Sequence, residues 1–221
     1  MADVATTIEA PDTAAMGSEL DILWEGPDGQ GDYITVVTPD AEDRKYGKYT
    51  YTRHGNPLKL VMPDRPGDFE LRYVSGQSQT VLVRRAIQIS EVPVTIDAPD
   101  AAPMGRELKI GWQGPDGKGD YITEVPPEAE DRKYGKYTYT RHGSPLKLVM
   151  PDSPGEYELR YVSNQSNSVL ARRLIVIERV AVALEVPAQV PVSKKLEIPW
   201  TGPDGPGDYI TVVTPDTGSA P

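Results

Sequence analysis

The sequence predicts an all-β protein built from tandem β-sandwich domains, and three observations favour this class. Trp24, Trp112 and Trp200 recur at one interval of 88 residues, each within the phrase W-x-G-P-D-G-x-G-D-Y-I-T. A repeat of this length exceeds the roughly 20 to 50 residues of solenoid units, so it indicates whole domains. The 22 prolines, 20 glycines and 12 tyrosines favour short strands joined by turns. No long stretch has apolar residues at helical spacing, so helices are not expected.

The repeat divides the 221 residues into two complete units and one partial unit. We expect domains at residues 1–91 and 92–179, and a partial domain at residues 180–221 that contains only its first three strands. A segment of about 40 residues without cysteine staples rarely holds a hydrophobic core alone. The third unit is therefore expected to need a partner that covers its apolar face.

Within one unit, apolar and polar residues alternate in short runs that are separated by glycine, proline and asparagine, as half-buried strands and their turns require. Trp24 is expected at the end of the second strand, and Lys59 on an outward face. One face of the sixth strand is expected to carry Phe69, Leu71 and Tyr73, and the opposite face Glu70 and Arg72. Seven strands are predicted in the first unit, at residues 7–10, 20–24, 32–37, 46–53, 58–62, 69–73 and 80–89.

Seven short strands in 88 residues fit a two-sheet sandwich, and one motif favours a particular type. Residues 66–73 and 154–161 resemble the P-G-x-Y-x-L start of strand F in immunoglobulin-like domains, which carries the tyrosine corner. The unit therefore resembles a seven-stranded immunoglobulin-like or fibronectin-type sandwich. The first copy has Phe69 in place of the tyrosine, so the corner hydrogen bond cannot be essential in this protein.

A wider set of phrases is shared with one group of bacterial repeats. W-x-G-P-D-G-x-G-D-Y-I, Y-T-R-H-G-x-P-L-K-L and L-x-R-R-x-I are together similar to Ig-like repeats of bacterial von Willebrand factor A-domain proteins. The A domain that carries the metal-dependent adhesion motif in such proteins is absent from this sequence. The resemblance therefore implies a domain type and a bacterial surface or exported setting, and it assigns no activity.

Charge and hydropathy limit the partners and the location. The formal net charge is -10, and nucleic acid is an improbable partner because phosphate binding depends on clustered Lys and Arg. There is no apolar run of about 18 residues and no signal-peptide pattern in the first residues, so no membrane span is expected. The absence of cysteine fits both cytoplasmic and bacterial exported proteins. We expect an extracellular, cell-surface or periplasmic protein that associates with itself or with another protein.

The Asp-Gly loops are the candidate metal sites. Asp28 and Asp32 in the first unit, and Asp116 and Asp120 in the second, place two carboxylates four residues apart on a glycine-rich loop. They could supply part of the six to eight oxygen ligands that calcium takes. The alternative is an ordinary turn, because Asp-Gly is a strong turn former by itself. These loops suggest no cofactor other than calcium, and their sequence does not match the EF-hand pattern.

The tyrosines of one strand are the candidate ligand face. Two readings are open, because aromatic residues in a strand also serve as cross-strand packing pairs. If the face is solvated, its rings and the neighbouring basic residues could bind a sugar or a protein. The residues concerned are Tyr49 and Tyr51 in the first unit and Tyr137 and Tyr139 in the second.

A catalytic site is not expected. Each complete unit has a single histidine, His54 or His142, and there is no cysteine, so neither a zinc site nor a Cys-His pair can be built within a unit. No serine lies in a nucleophile-elbow motif. The sequence therefore predicts a non-enzymatic protein without catalytic residues.

The third unit suggests the first of two functions. Its apolar positions belong to a fragment of a longer chain, or they are completed by strands from a neighbour, which would make the protein a fibre. We expect a structural or spacer protein, and the alternative is an adhesion module that binds calcium, a glycan or a protein. The expected partner contacts are Leu196, Ile198, Trp200, Tyr209 and Ile210.

Overall fold

The computed structural model describes residues 5–192 and 195–214, and the first unit within it is a two-sheet β-sandwich. One sheet has the order β1-β3-β6 and the other has the order β2-β8-β7-β4-β5. All pairings are antiparallel except that of β2 with β8. The strands are β1 (Thr7–Glu9), β2 (Thr13–Ala15), β3 (Glu19–Glu25), β4 (Tyr33–Val37), β5 (Tyr49–Tyr51), β6 (Leu58–Val61), β7 (Gly67–Val74) and β8 (Val81–Ser90).

The second unit repeats this arrangement strand by strand. Its sheets have the orders β9-β11-β14 and β10-β16-β15-β12-β13. The Ig-like sandwich class predicted from the sequence is thus observed twice. The strands are β9 (Thr95–Asp97), β10 (Ala101–Pro103), β11 (Glu107–Gln113), β12 (Tyr121–Val125), β13 (Tyr137–Tyr139), β14 (Leu146–Val149), β15 (Gly155–Val162) and β16 (Val169–Glu178).

The predicted count of seven strands per unit is wrong by one. The additional strand, β2, has three residues and pairs in parallel with the end of β8, so that Ala14 lies opposite Ile89. Only Ala14 is buried in it, and three residues are too few to show an alternating pattern. The predicted strand over residues 46–53 is also shorter than expected. It is limited to β5, and Thr52–His54 form a 3₁₀ turn.

The core of each unit lies between the two sheets. Ile22, Ile34, Leu60 and Leu71 are fully or almost fully buried, and each such side chain contributes about 1.5–3 kcal/mol by leaving water. They come from β3, β4, β6 and β7, so both sheets supply the core. Burial alternates along β3 and β6 as the sequence predicted, whereas all five residues of β4 are buried. Lys59 is exposed, as predicted, and it pairs with Glu19 at 2.8 Å.

Trp24 lies near the end of β3, as predicted, and it joins that strand to the turn before β6. Its indole Nε1–H donates to the Gly55 carbonyl at 3.1 Å. The Asn56 side chain accepts from the Trp24 N–H at 3.3 Å and donates to the Trp24 carbonyl at 2.7 Å. The ring packs 5.7 Å from that of Tyr73. The repeated tryptophan thus closes one end of the sandwich.

The third unit differs from its prediction of three strands. Among its described residues, 180–192 and 195–214, the strands are β17 (Ala183–Leu184) and β18 (Trp200–Thr201), which pair with each other. Tyr209–Val213, predicted as the third strand, has no strand partner within the described residues. In the complete units the equivalent strand β4 is held between β7 and β5. A strand without ladder neighbours has no partners for its backbone groups, which explains why this one is not formed.

Candidate functional site

A cleft lined by tyrosines opens beside β5 in the first unit. Its volume is ≈ 320 Å³, and we call it the tyrosine cleft. The strand supplies two of its rings, while the others come from β4 and from the loop between β4 and β5. The lining residues are Gly31, Tyr33, Tyr46, Tyr49, Tyr51, Gly76 and Gln79.

The four rings form one continuous cluster around Tyr49. The Tyr49 centroid lies 5.5 Å from that of Tyr33, 5.5 Å from that of Tyr46 and 5.3 Å from that of Tyr51. All three pairs are edge-to-face, a geometry worth about 0.5–1.5 kcal/mol beyond burial. Tyr33 is buried, whereas Tyr46 is 64% exposed and Tyr49 is 43% exposed. The cluster therefore packs against the sheet on one side and presents rings to solvent on the other.

The loop that carries Tyr46 is fixed by a buried arginine. Arg72 has no exposed surface, although the sequence placed it on the face of β7 opposite the sandwich core. Its guanidinium donates to the carbonyls of Ala41 at 2.7 Å and Glu42 at 2.9 Å. The Thr35 hydroxyl donates to the Lys48 carbonyl at 2.9 Å, at the other end of the loop. Tyr46 is thus an exposed ring on an anchored backbone.

The charge of Arg72 is balanced by a chain of ion pairs across the sheet. Glu70 accepts from both Arg72 and Arg84, and Arg84 also pairs with Asp43 of the same loop. The pKa of Arg84 is raised, first by its hydrogen bond to Asp43. Because a buried charge is costly unless it is paired and hydrogen-bonded, this network is what allows Arg72 to hold the loop from within.

Two tyrosines of the cleft, Tyr33 and Tyr49, have a raised pKa. Burial raises the pKa of Tyr33 above its ordinary value. A hydrogen bond with the Tyr51 hydroxyl is the main cause of the raised pKa of Tyr49. The guanidinium of Arg53 lies 4.6 Å from the centre of the Tyr51 ring, which adds a cation-π contact at the rim. The cleft therefore offers ring surface and phenolic hydroxyls that can both donate and accept hydrogen bonds.

The second unit has the same cleft in a smaller form. Its volume is ≈ 200 Å³, and Tyr137 and Tyr139 occupy the places of Tyr49 and Tyr51. Two lining positions differ, because Asn164 and Asn167 stand where the first unit has Gly76 and Gln79. The Asn164 amide donates to the Lys118 carbonyl at 3.2 Å, so its side chain is fixed at the edge of the cleft. The two clefts are thus alike in their rings and unlike in their width.

The Asp-Gly loop is organised by one buried carboxylate and one buried hydroxyl. Asp32 accepts from the backbone N–H groups of Gly29 and Gly76, each at 2.8 Å, and from the Tyr73 hydroxyl at 2.9 Å. The same hydroxyl accepts from the Asp28 N–H at 3.0 Å. Burial raises the pKa of Tyr73 to about 12. The first unit, which has Phe69 at the position of the tyrosine corner, thus has a hydrogen bond between Asp32 and the Tyr73 hydroxyl, which we call the aspartate-tyrosine tie.

The second unit keeps the tie between Asp120 and Tyr161 at 3.2 Å. Burial raises the pKa of Asp120, although its hydrogen bonds act in the opposite direction. Among the described residues, no group of three or more acidic, histidine or cysteine side chains is placed to hold a metal ion. The oxygens of Asp32 are already engaged by three donors, which leaves few lone pairs for a cation. Calcium binding at Asp28, Asp32, Asp116 and Asp120 stays a prediction.

The predicted partner contacts of the third unit form an exposed apolar face. Trp200 is 45% exposed, Ile210 is 45% exposed and Tyr209 is 84% exposed. Their counterparts Trp24 and Ile34 in the first unit are buried. Leu196 is also exposed and Ile198 is partly buried. Together with Val182 and Leu184, three of these residues line an open cleft of ≈ 710 Å³, which we call the third-unit face.

The joints between units share one close contact. A Cβ added to Gly17 would lie 2.7 Å from the Cβ of Pro115, and one added to Gly105 would lie 3.0 Å from the Cβ of Pro203. Both glycines have positive φ, at 72° and 71°, where an L side chain is strained. Gly105 follows Gly17 by 88 residues and Pro203 follows Pro115 by 88 residues, so the two contacts join equivalent positions of the repeat. Each unit therefore meets the next through the same glycine and the same proline of the Gly-Pro-Asp-Gly loop.

Hydrogen bonds add to these contacts at both joints. At the first joint, the hydroxyls of Ser163 and Ser166 donate to Asp64, and the Gln165 amide donates to the Met62 carbonyl at 3.3 Å. At the second joint, Arg106 donates to the Pro203 carbonyl at 2.8 Å. The polypeptide between two units is short, so these bonds restrict how far the units can turn against each other.

Comparisons with known proteins do not identify a family. No protein-family profile and no curated protein matches the chain. Among solved structures, two fibronectin type III domains of chicken tenascin match at 14% identity and a TM-score of 0.30, covering 80% of this chain and 99% of that one. The Escherichia coli adhesin FdeC matches at 12% identity and a TM-score of 0.30, covering 79% of this chain and 64% of that one.

A third similar structure is a 282-residue C-terminal fragment of intimin in complex with the intimin-binding domain of the translocated intimin receptor. It matches at 13% identity and a TM-score of 0.29, covering 82% of this chain and 67% of that one. Similarity at this level carries no argument about function. The resemblance to repeats of von Willebrand factor A-domain proteins stays a prediction. None of the helices among the described residues has the length and apolarity needed to cross a membrane.

Proposed function

We propose that this chain is a non-enzymatic structural and adhesion module of a bacterial surface or exported assembly, in which Ig-like units are held in a semi-rigid row. The observation that carries the proposal is the repeated joint. The Gly17–Pro115 contact recurs as Gly105–Pro203, so the same packing rule applies wherever one unit follows another. A spacer needs this property, because a stiff row keeps its ends at a defined distance.

The proposal includes assembly through the third-unit face. Residues whose counterparts are buried in the first unit are exposed there, among them Trp200 and Ile210. An apolar patch of this kind favours burial against protein. We assign its occupant as a second copy of the chain, which extends the row into a fibre; another protein is the alternative. Sedimentation velocity over a range of concentrations tests assembly. A Trp200→Asp variant is expected to remove any larger species.

The stiffness of the first joint is tested with spin labels. The chain has no cysteine, so Gln88→Cys and Val176→Cys, both on exposed strand positions, provide one unique pair of labels. Double electron-electron resonance is expected to give a single narrow distance distribution between the two units. A distribution as broad as that of a flexible tether would refute the semi-rigid row.

Matched variants show whether the joint contacts cause the stiffness. Asp64→Ala with Gln165→Ala removes the side-chain bonds across the first joint and is expected to broaden the distribution. The control is Asp152→Ala with Gln77→Ala. These are the same residue types at the equivalent positions of the other unit, away from this joint. An equal effect of both pairs would mean that the variants loosen the units themselves rather than the joint.

The second candidate function is ligand binding, and the tyrosine cleft favours it. Tyr46 and Tyr49 are exposed aromatic residues on a backbone that Arg72 and Thr35 hold in place. A spacer alone does not require such a cleft. Spacing and binding are compatible, because the cleft lies beside β5 and includes none of the joint residues.

A further inference from the structure

We propose that the tyrosine cleft of the first unit binds a neutral carbohydrate, and that Asn164 closes the equivalent cleft of the second unit to the same ligand. The proposal deepens the ligand-binding candidate above and names its ligand class. It does not depend on the semi-rigid row. The two units would then share a fold and differ in binding.

The cleft is built as a site rather than as packing alone. Tyr46 leaves most of its ring in water, yet its loop is anchored by two hydrogen bonds from a fully buried Arg72. Burying a charged group to fix an exposed loop costs free energy that packing of the loop does not require. A ligand that meets rings already in position loses less conformational entropy on binding. The geometry thus matches a pre-organised binding surface.

The lining of the cleft points to an uncharged, hydroxyl-rich ligand. All seven lining residues are uncharged, so the lining itself supplies no ionic partner, although the Arg53 guanidinium at the rim lies 4.6 Å from the centre of the Tyr51 ring. The rings supply apolar surface, while the phenolic hydroxyls and the Gln79 amide supply hydrogen-bonding groups at its edge. A pyranose ring has the same two properties, since one face carries C–H groups and its rim carries hydroxyls.

The size of the cleft separates a carbohydrate from a peptide. At ≈ 320 Å³ it lies at the lower end of the range of about 300–1,000 Å³ that small-molecule sites occupy. It has room for roughly one or two sugar rings. An extended proline-rich peptide needs a groove several residues long, and a cleft of ≈ 320 Å³ is small for such a ligand.

The second unit shows what closes the cleft. At Gly76, an added Cβ would lie 2.3 Å from the Gly31 carbonyl carbon, so the two loops approach more closely than any side chain permits. Asn164 occupies the equivalent position, and its amide lies 2.8 Å from a Cβ added to Gly119. The volume falls to ≈ 200 Å³, below the usual range for small-molecule sites. The residue at this position therefore determines whether a sugar can enter.

Isothermal titration calorimetry on the whole chain tests the proposal with four neutral probes, the linear tetrasaccharides of glucose, mannose, galactose and N-acetylglucosamine. At least one is expected to bind with a stoichiometry of one. Tyr46→Ala is expected to weaken binding about tenfold or more, and the matched control Tyr134→Ala is expected to leave it unchanged. Asn164→Gly removes the closing side chain and is expected to raise the stoichiometry to two. Far-ultraviolet circular dichroism confirms that each variant is folded.

Three outcomes would overturn the proposal. The first is that no tetrasaccharide binds at concentrations up to about 10 mM. The second is that Tyr46→Ala and Tyr134→Ala weaken binding equally. The third is that decaproline, a peptide probe, binds in the cleft and the sugars do not. None of these outcomes bears on the proposal of a semi-rigid row, because the distance distribution between the labels at Gln88→Cys and Val176→Cys is measured without ligand.

Discussion

Replacing Tyr73 with phenylalanine tests whether the aspartate-tyrosine tie stabilises the unit. Tyr73 is fully buried, and its hydroxyl donates to Asp32 at 2.9 Å while it accepts from the Asp28 N–H at 3.0 Å. Tyr73→Phe removes only the hydroxyl oxygen and keeps the ring, which packs on Trp24. The change therefore isolates two hydrogen bonds and leaves the hydrophobic contacts in place.

The expected loss of stability follows from these two bonds. A hydrogen bond to a charged acceptor contributes about 1.5–3 kcal/mol, and the Asp28 N–H can turn to water because the loop is partly exposed. We therefore expect the free energy of unfolding of the first unit to fall by about 2 kcal/mol. For a unit of this size, each kcal/mol corresponds to roughly 4–8 °C, so its melting temperature should fall by about 8–16 °C.

Differential scanning calorimetry measures this shift, and the chain supplies its own control. Tyr157→Phe places in the second unit the residue that the first unit already has at Phe69, so it should change the melting temperature by less than about 3 °C. Tyr161→Phe, which breaks the equivalent tie, should instead act as Tyr73→Phe does. A shift for Tyr73→Phe as small as that of Tyr157→Phe would refute the reasoning.

Alkaline pH gives a second measurement of the same tie. Burial raises the pKa of Tyr73 from 10.0 to about 12, so the folded state holds this proton more tightly than the unfolded state. The stability from this difference is fully present below pH 10 and is lost as the pH rises through about 12. Urea unfolding of the wild type should therefore become easier across this interval. The Tyr73→Phe variant should lose less stability over the same pH range.

Two further predictions concern carboxylates. Glu124 is buried where the first unit has Val36, and burial raises the pKa of its side chain above 4.5, so folding penalises its charged form. A hydrogen bond from the Lys136 N–H at 3.0 Å offsets part of this penalty. Glu124→Val should therefore raise the free energy of unfolding by about 1 kcal/mol at pH 7. Urea unfolding should show this gain in stability shrinking as the pH falls to 4.5, because wild-type Glu124 becomes protonated over that range. A gain of equal size at both pH values would contradict the prediction. For calcium, the oxygens of Asp32 already accept from three donors, so about 5 mM calcium should leave the melting temperature within roughly 1 °C of its value in chelator. A chelator-reversible rise that Asp28→Ala abolishes would instead establish the metal site.

The strands were predictable from sequence where alternation continued over at least four residues. β3 and β6 meet this condition and their buried residues follow the predicted faces, whereas β7 also buries Arg72 and Val74 on its other face. β2 does not meet the condition, because it consists of three residues and is held by its parallel pairing with β8. A pairing between residues about 75 positions apart leaves no local signal in the sequence. The missing strand is therefore a limit of local pattern analysis.

The candidate site was predictable in part. Tyr49 and Tyr51 share a strand, so their common face followed from the period of two. Tyr33 was missed as a third ring because its contact with them depends on the pairing of β4 with β5. Arg72 was placed outside the sandwich core, which is correct, but its full burial depends on a loop that folds back over the sheet. Neither contact is local in the sequence.

The differences between the two units carry more information than their identities. Duplication copies every residue, so the shared tyrosines do not by themselves separate packing from binding. The joint contact is the same in both places, between Gly17 and Pro115 and between Gly105 and Pro203. The close Cβ contacts there leave little room for other residues, so this identity has a packing explanation. The cleft has changed, since Asn164 and Asn167 stand in place of Gly76 and Gln79 and the volume is ≈ 200 Å³ rather than ≈ 320 Å³, while all four rings remain. If the rings served packing alone, the width of the cleft would have no consequence. The Asn164→Gly variant therefore separates packing from ligand binding, because it changes the width of the cleft and leaves its ring cluster intact.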